Sequence, residues 1–159
     1  MRFLITDTPN KFTIKPFIEN LLRHNVKLLV GLCDVSYDTG PFVAANIEVL
    51  SLQFPERTLP DEQLKRHWFR ILLRQQSEYP DSCVAVHGNS GLGRAALLVA
   101  IALIELGMGY DIAVAVIRSK RRGAINDAQF EYLKNYKPET RNGLTQMRQR
   151  KASNHCVVQ

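Results

Sequence analysis

Cysteine is scarce in this chain and scattered where it occurs. Cys33, Cys83 and Cys156 are its three cysteines, too few and too far apart for the disulfide framework of a small secreted domain. Long apolar runs are missing as well: the longest, residues 95–106, is interrupted by Glu105 and has the length of a buried helix rather than of a membrane span. Met1-Arg2-Phe3-Leu4-Ile5-Thr6 turns polar too soon for a secretory signal, so the reading is of an intracellular, reduced protein. Internal repeats and low-complexity segments are absent. With 45% hydrophobic and 8% aromatic residues in 159 positions, the composition suits one ordinary globular core. Acidic residues are outnumbered, 15 Asp and Glu against 21 Lys and Arg, for a net charge of +6. Arg118, Lys120, Arg121 and Arg122 form one basic cluster, which reads as a solvated helix face. Arg141, Arg148, Arg150 and Lys151 form the other, in a stretch without an acidic residue. Neither is interleaved with aromatics or set in a nucleic-acid motif, which argues against a nucleic-acid partner.

What is present is an alternation. Strands are expected at residues 3–5, 26–30, 47–52 and 83–86, and helices at 13–25, 61–78, 95–106, 111–121 and 126–136. Thr13 is a candidate cap for the first helix, with Phe17, Leu21 and Leu22 as its buried stripe. Leu64, Trp68, Ile71 and Leu72 make the apolar face of the second. Residues 37–41 and 53–60 read as loops, Gly107 as a helix stop, and Asn126 as an N-cap. Such alternation predicts an α/β fold with a mostly parallel central sheet flanked by helices on both faces. The folded domain is assigned to residues 1–140, and 141–159 to a basic, flexible tail. Ligands of such sheets gather beyond the C-terminal strand ends, where the 53–60 loop would face the loop after the fourth strand.

That loop reads His87-Gly88-Asn89-Ser90-Gly91-Leu92-Gly93-Arg94, between the β-branched run Val84-Ala85-Val86 and the apolar helix. A strand, a glycine-rich loop and a helix start are the arrangement that aims backbone N–H groups at an anion. Asn89, Ser90, Gly91, Leu92, Gly93 and Arg94 are accordingly candidate phosphate-binding residues, Arg94 offering a planar fork to two oxygens. His87 with Arg94 seven positions on fits the loop of a cysteine-dependent phosphatase: His, Cys, five residues, Arg. A cysteine at 88 would be a thiolate stabilised at the helix N-terminus; Gly88 removes the sulfur. Ser90 lacks a base to activate it. No metal or cofactor is expected.

With Val30-Gly31-Leu32-Cys33-Asp34, Gly91-Leu92-Gly93-Arg94-Ala95, Ala102-Leu103-Ile104-Glu105, Lys120-Arg121-Arg122-Gly123-Ala124 and Cys156-Val157-Val158-Gln159 added, the chain resembles the phosphatase of regenerating liver (PRL) family, the type IVA protein tyrosine phosphatases, over essentially its whole length. The resemblance implies a cysteine-dependent dual-specificity phosphatase-like fold, with Gly88 at the nucleophile position and His87 supporting the loop from behind. Where the family reads Phe-Asp-Asp-Gly this chain has Phe54-Pro55-Glu56-Arg57, so the general-acid position falls on Glu56. Cys33 takes the place of the redox partner of the nucleophile; with Gly88 it has none and reads as a buried thiol. Two functions stay open: a pseudophosphatase that holds phosphate or an acidic partner loop, and a phosphatase whose nucleophile at 88 has been substituted.

Cys156-Val157-Val158-Gln159 fits a prenylation box in which Gln favours farnesyl, with residues 157–159 removed after lipidation. Arg148, Arg150 and Lys151 precede it as candidate contacts to anionic lipids. The expected location is the cytoplasmic face of the plasma membrane and early endosomes, or cytoplasm and nucleus when unprenylated. The resemblance further implies cyclin-M-type magnesium transporters as partners, and a homotrimer.

Overall fold

The structure, a computed structural model, describes residues 1–139, Leu144 and the backbone of Val157–Val158. Strands β1 (Arg2–Thr6), β2 (Val26–Gly31), β3 (Glu48–Ser51) and β4 (Cys83–His87) form a parallel sheet in the order β3-β2-β4-β1, and the two-residue β5 (Val157–Val158) pairs with the outer edge of β1. The helices are α1 (Ile14–Arg23), α2 (Gly40–Ala44), α3 (Glu62–Glu78), α4 (Arg94–Glu105), α5 (Tyr110–Lys120) and α6 (Asp127–Asn135).

The period-2 alternation of strands sorts side chains between two cores. Phe3, Ile5, Leu28, Val30, Val84 and Val86 face α3 to α6, while Leu4, Val26, Leu29, Cys83 and Ala85 face α1 and α2. Val26 and Leu28 fall on opposite faces because the β2–β4 register shifts between them. Helix α4 is buried all round, from Ala95 to Glu105, which explains why its sequence is apolar throughout from Ala95 to Ile104. Trp68 of α3 lies fully buried against it and donates its indole N–H to the carbonyl of Leu98 at 3.1 Å. Asp61 caps α3 by accepting from Leu64 N at 2.8 Å, and Asn126 caps α6 in a capping box completed by Gln129. Parallel register brings Thr6, His87 and Gly31 side by side at the C-terminal edge of the sheet.

Three expectations change. Residues 37–41 are not all loop: α2 begins inside them, because Pro41 falls in its first turn, where a missing N–H costs nothing. Thr13 makes no side-chain cap to α1; its hydroxyl bonds back to the carbonyl of Asn10. Leu22 is exposed, and the stripe of α1 runs through Ile14, Phe17, Ile18 and Leu21, at helical spacing. Of the expected tail 141–159, Leu144 is buried in the larger core and Val157–Val158 are held by β1, an edge strand with backbone groups to pair. Cys156, Arg148, Arg150 and Lys151 lie outside the described residues. No helix among the described residues is long and apolar enough to cross a membrane.

Trp68→Ala should lower the free energy of unfolding by about 3–5 kcal/mol. Urea denaturation followed by far-UV circular dichroism measures this, since Trp68 is the one tryptophan and its fluorescence disappears with it.

Candidate functional site

The loop between β4 and α4 borders a cavity of about 180 Å³ lined by Gly88, Asn89, Ser90, Gly91, Gly93 and Arg94 on one side and by Glu56, Arg57, Asn126 and Gln129 on the others. The acid loop and the cradle thus meet, as their places at the strand ends require. Leu92 alone of the candidate phosphate-binding residues does not line the cavity: its side chain packs against the larger core and its carbonyl accepts from Ile125 N at 3.0 Å.

Which way the loop's backbone points follows from its carbonyls. Gly88 O accepts from the Thr8 hydroxyl at 2.5 Å, Asn89 O from Thr8 N at 3.4 Å, and Leu92 O from Ile125 N. In a trans peptide the N–H of the next residue points opposite to the carbonyl. The N–H groups of Asn89, Ser90 and Gly93 are therefore turned away from these outer donors. Gly91 has φ 67, and a Cβ there would stand 2.7 Å from the carbonyl oxygen of Thr6, so only glycine lets the loop pass so close to β1.

Arg94 is braced before any ligand arrives. Its Nη1 donates to the carbonyls of Leu32 at 2.8 Å and Phe54 at 2.9 Å, and no hydrogen bond to the described residues occupies Nε or Nη2. At Gly88 an added Cβ would meet nothing closer than Arg94 Cβ at 3.9 Å and Arg94 Nε at 4.0 Å. The nucleophile position is open toward the arginine and vacant of side chain.

Behind the loop, His87 is fully buried. Its Nε2 is 2.7 Å from Tyr37 Oη and its Nδ1 3.2 Å from Thr8 Oγ1. The Thr8 hydroxyl gives its one proton to Gly88 O, so it accepts from Nδ1–H, and Nε2 accepts from the Tyr37 phenol. Burial raises the phenol's pKa, which keeps that proton in place. Burial likewise lowers the pKa of His87; the hydrogen bond to the Gly88 backbone opposes this, and the charge of Arg94 adds to it. A Cβ at Gly31 would fall 2.9 Å from Nε2, so β2 must carry glycine beside the ring. Cys33 is a free, buried thiol 3.4 Å from Thr8 Oγ1 and 3.8 Å from His87 Nδ1. Cys83 is packed in the smaller core, where burial pushes its thiol up to about 12.

The first basic cluster is partly spent inside the fold. Arg118 donates to the carbonyls of Ala124 and Ile125, and Arg121 to that of Ile5 twice and to Asp7. Thr8, Tyr37, Arg57 and Gln129 are site residues that sequence reasoning missed. For Gln129 a signal existed, the Asn-x-x-Gln spacing of a capping box. Among the described residues no group of His, Cys, Asp and Glu could hold a metal ion.

No family model matches the chain. Among curated proteins it is 45% identical over 159 residues to protein tyrosine phosphatase type IVA 2 of Mus musculus, covering 100% of this chain and 92% of that one. It is 47% identical over 141 residues to PRL-1 phosphatase of Drosophila melanogaster, covering 89% and 80%. Among solved structures, a protein tyrosine phosphatase from Leishmania major superposes with a TM-score of 0.72 at 34% identity, over 85% of this chain and 87% of that one. The fold is of the dual-specificity phosphatase type.

Because folded His87 titrates below its ordinary 6.5, the unfolded chain takes up a proton that the folded chain refuses. Stability should be level between about pH 7 and pH 8 and fall as pH drops through 6.5 and below. Urea midpoints at pH 7.5, 6.5 and 5.5 measure the trend in a His24→Asn, His67→Asn background, and an NMR titration assigns it to His87. A His87 pKa at or above 6.5 contradicts the expectation.

Proposed function

The chain belongs to the protein tyrosine phosphatase type IVA (PRL) family, and on that premise we propose that it is a phosphate-binding phosphatase homologue that does not carry out the hydrolysis. The observation that carries this is position 88. Phosphatase chemistry of this type needs a thiolate there to attack phosphorus in line and a general acid to protonate the leaving oxygen. Gly88 supplies no nucleophile, while Glu56 still lines the cavity. What remains is a cradle for an anion: the loop's N–H groups, the N-terminus of α4 and the braced fork of Arg94. Loss of the thiolate also removes a repulsion of about 4 kcal/mol, for charges about 4 Å apart at an effective dielectric of about 20. The natural ligand is then a phosphorylated or acidic loop of a partner protein, with cyclin-M-type magnesium transporters as the candidates the family resemblance supplies.

The room at Gly88 favours a second reading, a phosphatase inactivated by one substitution, since a Cβ there would meet nothing closer than 3.9 Å. A fluorogenic phosphate ester separates the two. The chain as it stands should show no turnover, and measurable turnover would overturn the binding role. Turnover by Gly88→Cys would show Glu56 to be a competent acid and favour the second reading; phosphate binding without turnover in that variant favours the first.

Membrane attachment belongs to the same proposal. A prenyl group on Cys156 gives reversible anchoring, and Arg148, Arg150 and Lys151 each add about 1 kcal/mol toward an anionic leaflet. This places the protein at the cytoplasmic face of the plasma membrane and early endosomes, where a homotrimer would gather several anchors. Cys156→Ser should shift it to cytoplasm and nucleus in cell fractionation; an unchanged membrane fraction contradicts the anchor.

A further inference from the structure

A single phosphate does not account for the cavity. Arg57 lines it opposite the cradle residues, one position beyond Glu56. Its backbone has φ 61, a left-handed conformation that an arginine adopts only at a cost. Its side chain is exposed, and it makes no hydrogen bond or ion pair with the other described residues. Arg94 differs in every respect, being fixed by two carbonyls and already placed to serve the anion in the loop.

Gln129 adds a further donor. Its Oε1 is taken by Asn126 N in the capping box, which leaves the amide nitrogen facing the loop, 3.8 Å from where a Cβ on Gly93 would stand. The cavity is therefore lined by two arginines and an amide donor against one carboxylate residue, Glu56, and Gly88 leaves it without the side chain an active loop would carry. Two positive groups at one mouth, one braced and one unpaired, suit a ligand with two neighbouring anionic centres.

We propose that this cavity takes a ligand bearing two adjacent phosphoryl groups, the first held by the cradle and Arg94, the second by Arg57. This rests on the phosphate-binding role proposed above. The two phosphoryl groups occur either as a phosphoanhydride or on neighbouring carbons of a ring, and the chemistry at Arg57 is common to both.

Calorimetry on the full chain at constant ionic strength tests it with orthophosphate, pyrophosphate and inositol 4,5-bisphosphate. At least one of the two-phosphoryl probes should bind about 10-fold more tightly than orthophosphate, the effect of one added charge-assisted contact; whichever binds tighter identifies the source. In Arg57→Gly, which also relieves the left-handed backbone, that preference should fall to within about twofold, the two-phosphoryl probe losing more affinity than orthophosphate does. Equal affinities for all three probes, or a preference that survives Arg57→Gly, overturns the proposal and leaves the cradle intact. Orthophosphate binding that is absent, or indifferent to Arg94→Ala, overturns the phosphate-binding role itself.

Discussion

Tyr37, His87 and Thr8 hold one another through hydrogen bonds whose direction is forced, because a neutral imidazole has one donor and one acceptor and a hydroxyl has one proton to give. The proton sequence runs from phenol to ring, from ring to hydroxyl, and from hydroxyl to the Gly88 carbonyl. Fixing that carbonyl fixes the whole of its planar peptide unit, and with it the N–H of Asn89. The cradle's polarity therefore depends on a tautomer selected well behind it. Gly31 contributes by what it lacks, since a methyl group there would collide with the ring on which the sequence of bonds turns.

The site draws on residues separated widely along the chain, which is why the sequence discloses it unevenly. His87 to Arg94 are contiguous, and their glycines and arginine announce the loop without help from the fold. The buried run of α4, the stripe of Leu64, Trp68, Ile71 and Leu72 and the cap Asn126 are equally legible, because each depends on neighbours three or four residues away. Thr8 and Tyr37 carry no such local mark; only parallel register at the strand ends brings them to His87. Helix α2 hides behind Pro41, which signals a break unless it falls in a first turn. Leu22 shows the opposite difficulty. An apolar side chain reads as core from composition, yet its angle around α1 sends it to solvent.

Charge shows the same division between what a sequence counts and what a fold uses. Arg118 and Arg121 belong to a basic run that looks like surface, and both are committed to backbone carbonyls, tying the end of α5 to β1 and to the turn before α6. Arg57 lies in a short loop with nothing to distinguish it and remains available. Net charge alone ranks these residues equally; their hydrogen bonds separate cement from contact surface.

Arg94 gives one guanidinium nitrogen to both Leu32 and Phe54, and Phe54 begins the loop that carries Glu56 and Arg57. The loop that carries Arg94 and the segment across from it therefore share a fastener. By thermodynamic reciprocity, any protein that grips the 53–60 loop from outside must change the hold on the anion by the same factor as the anion changes the hold on that protein.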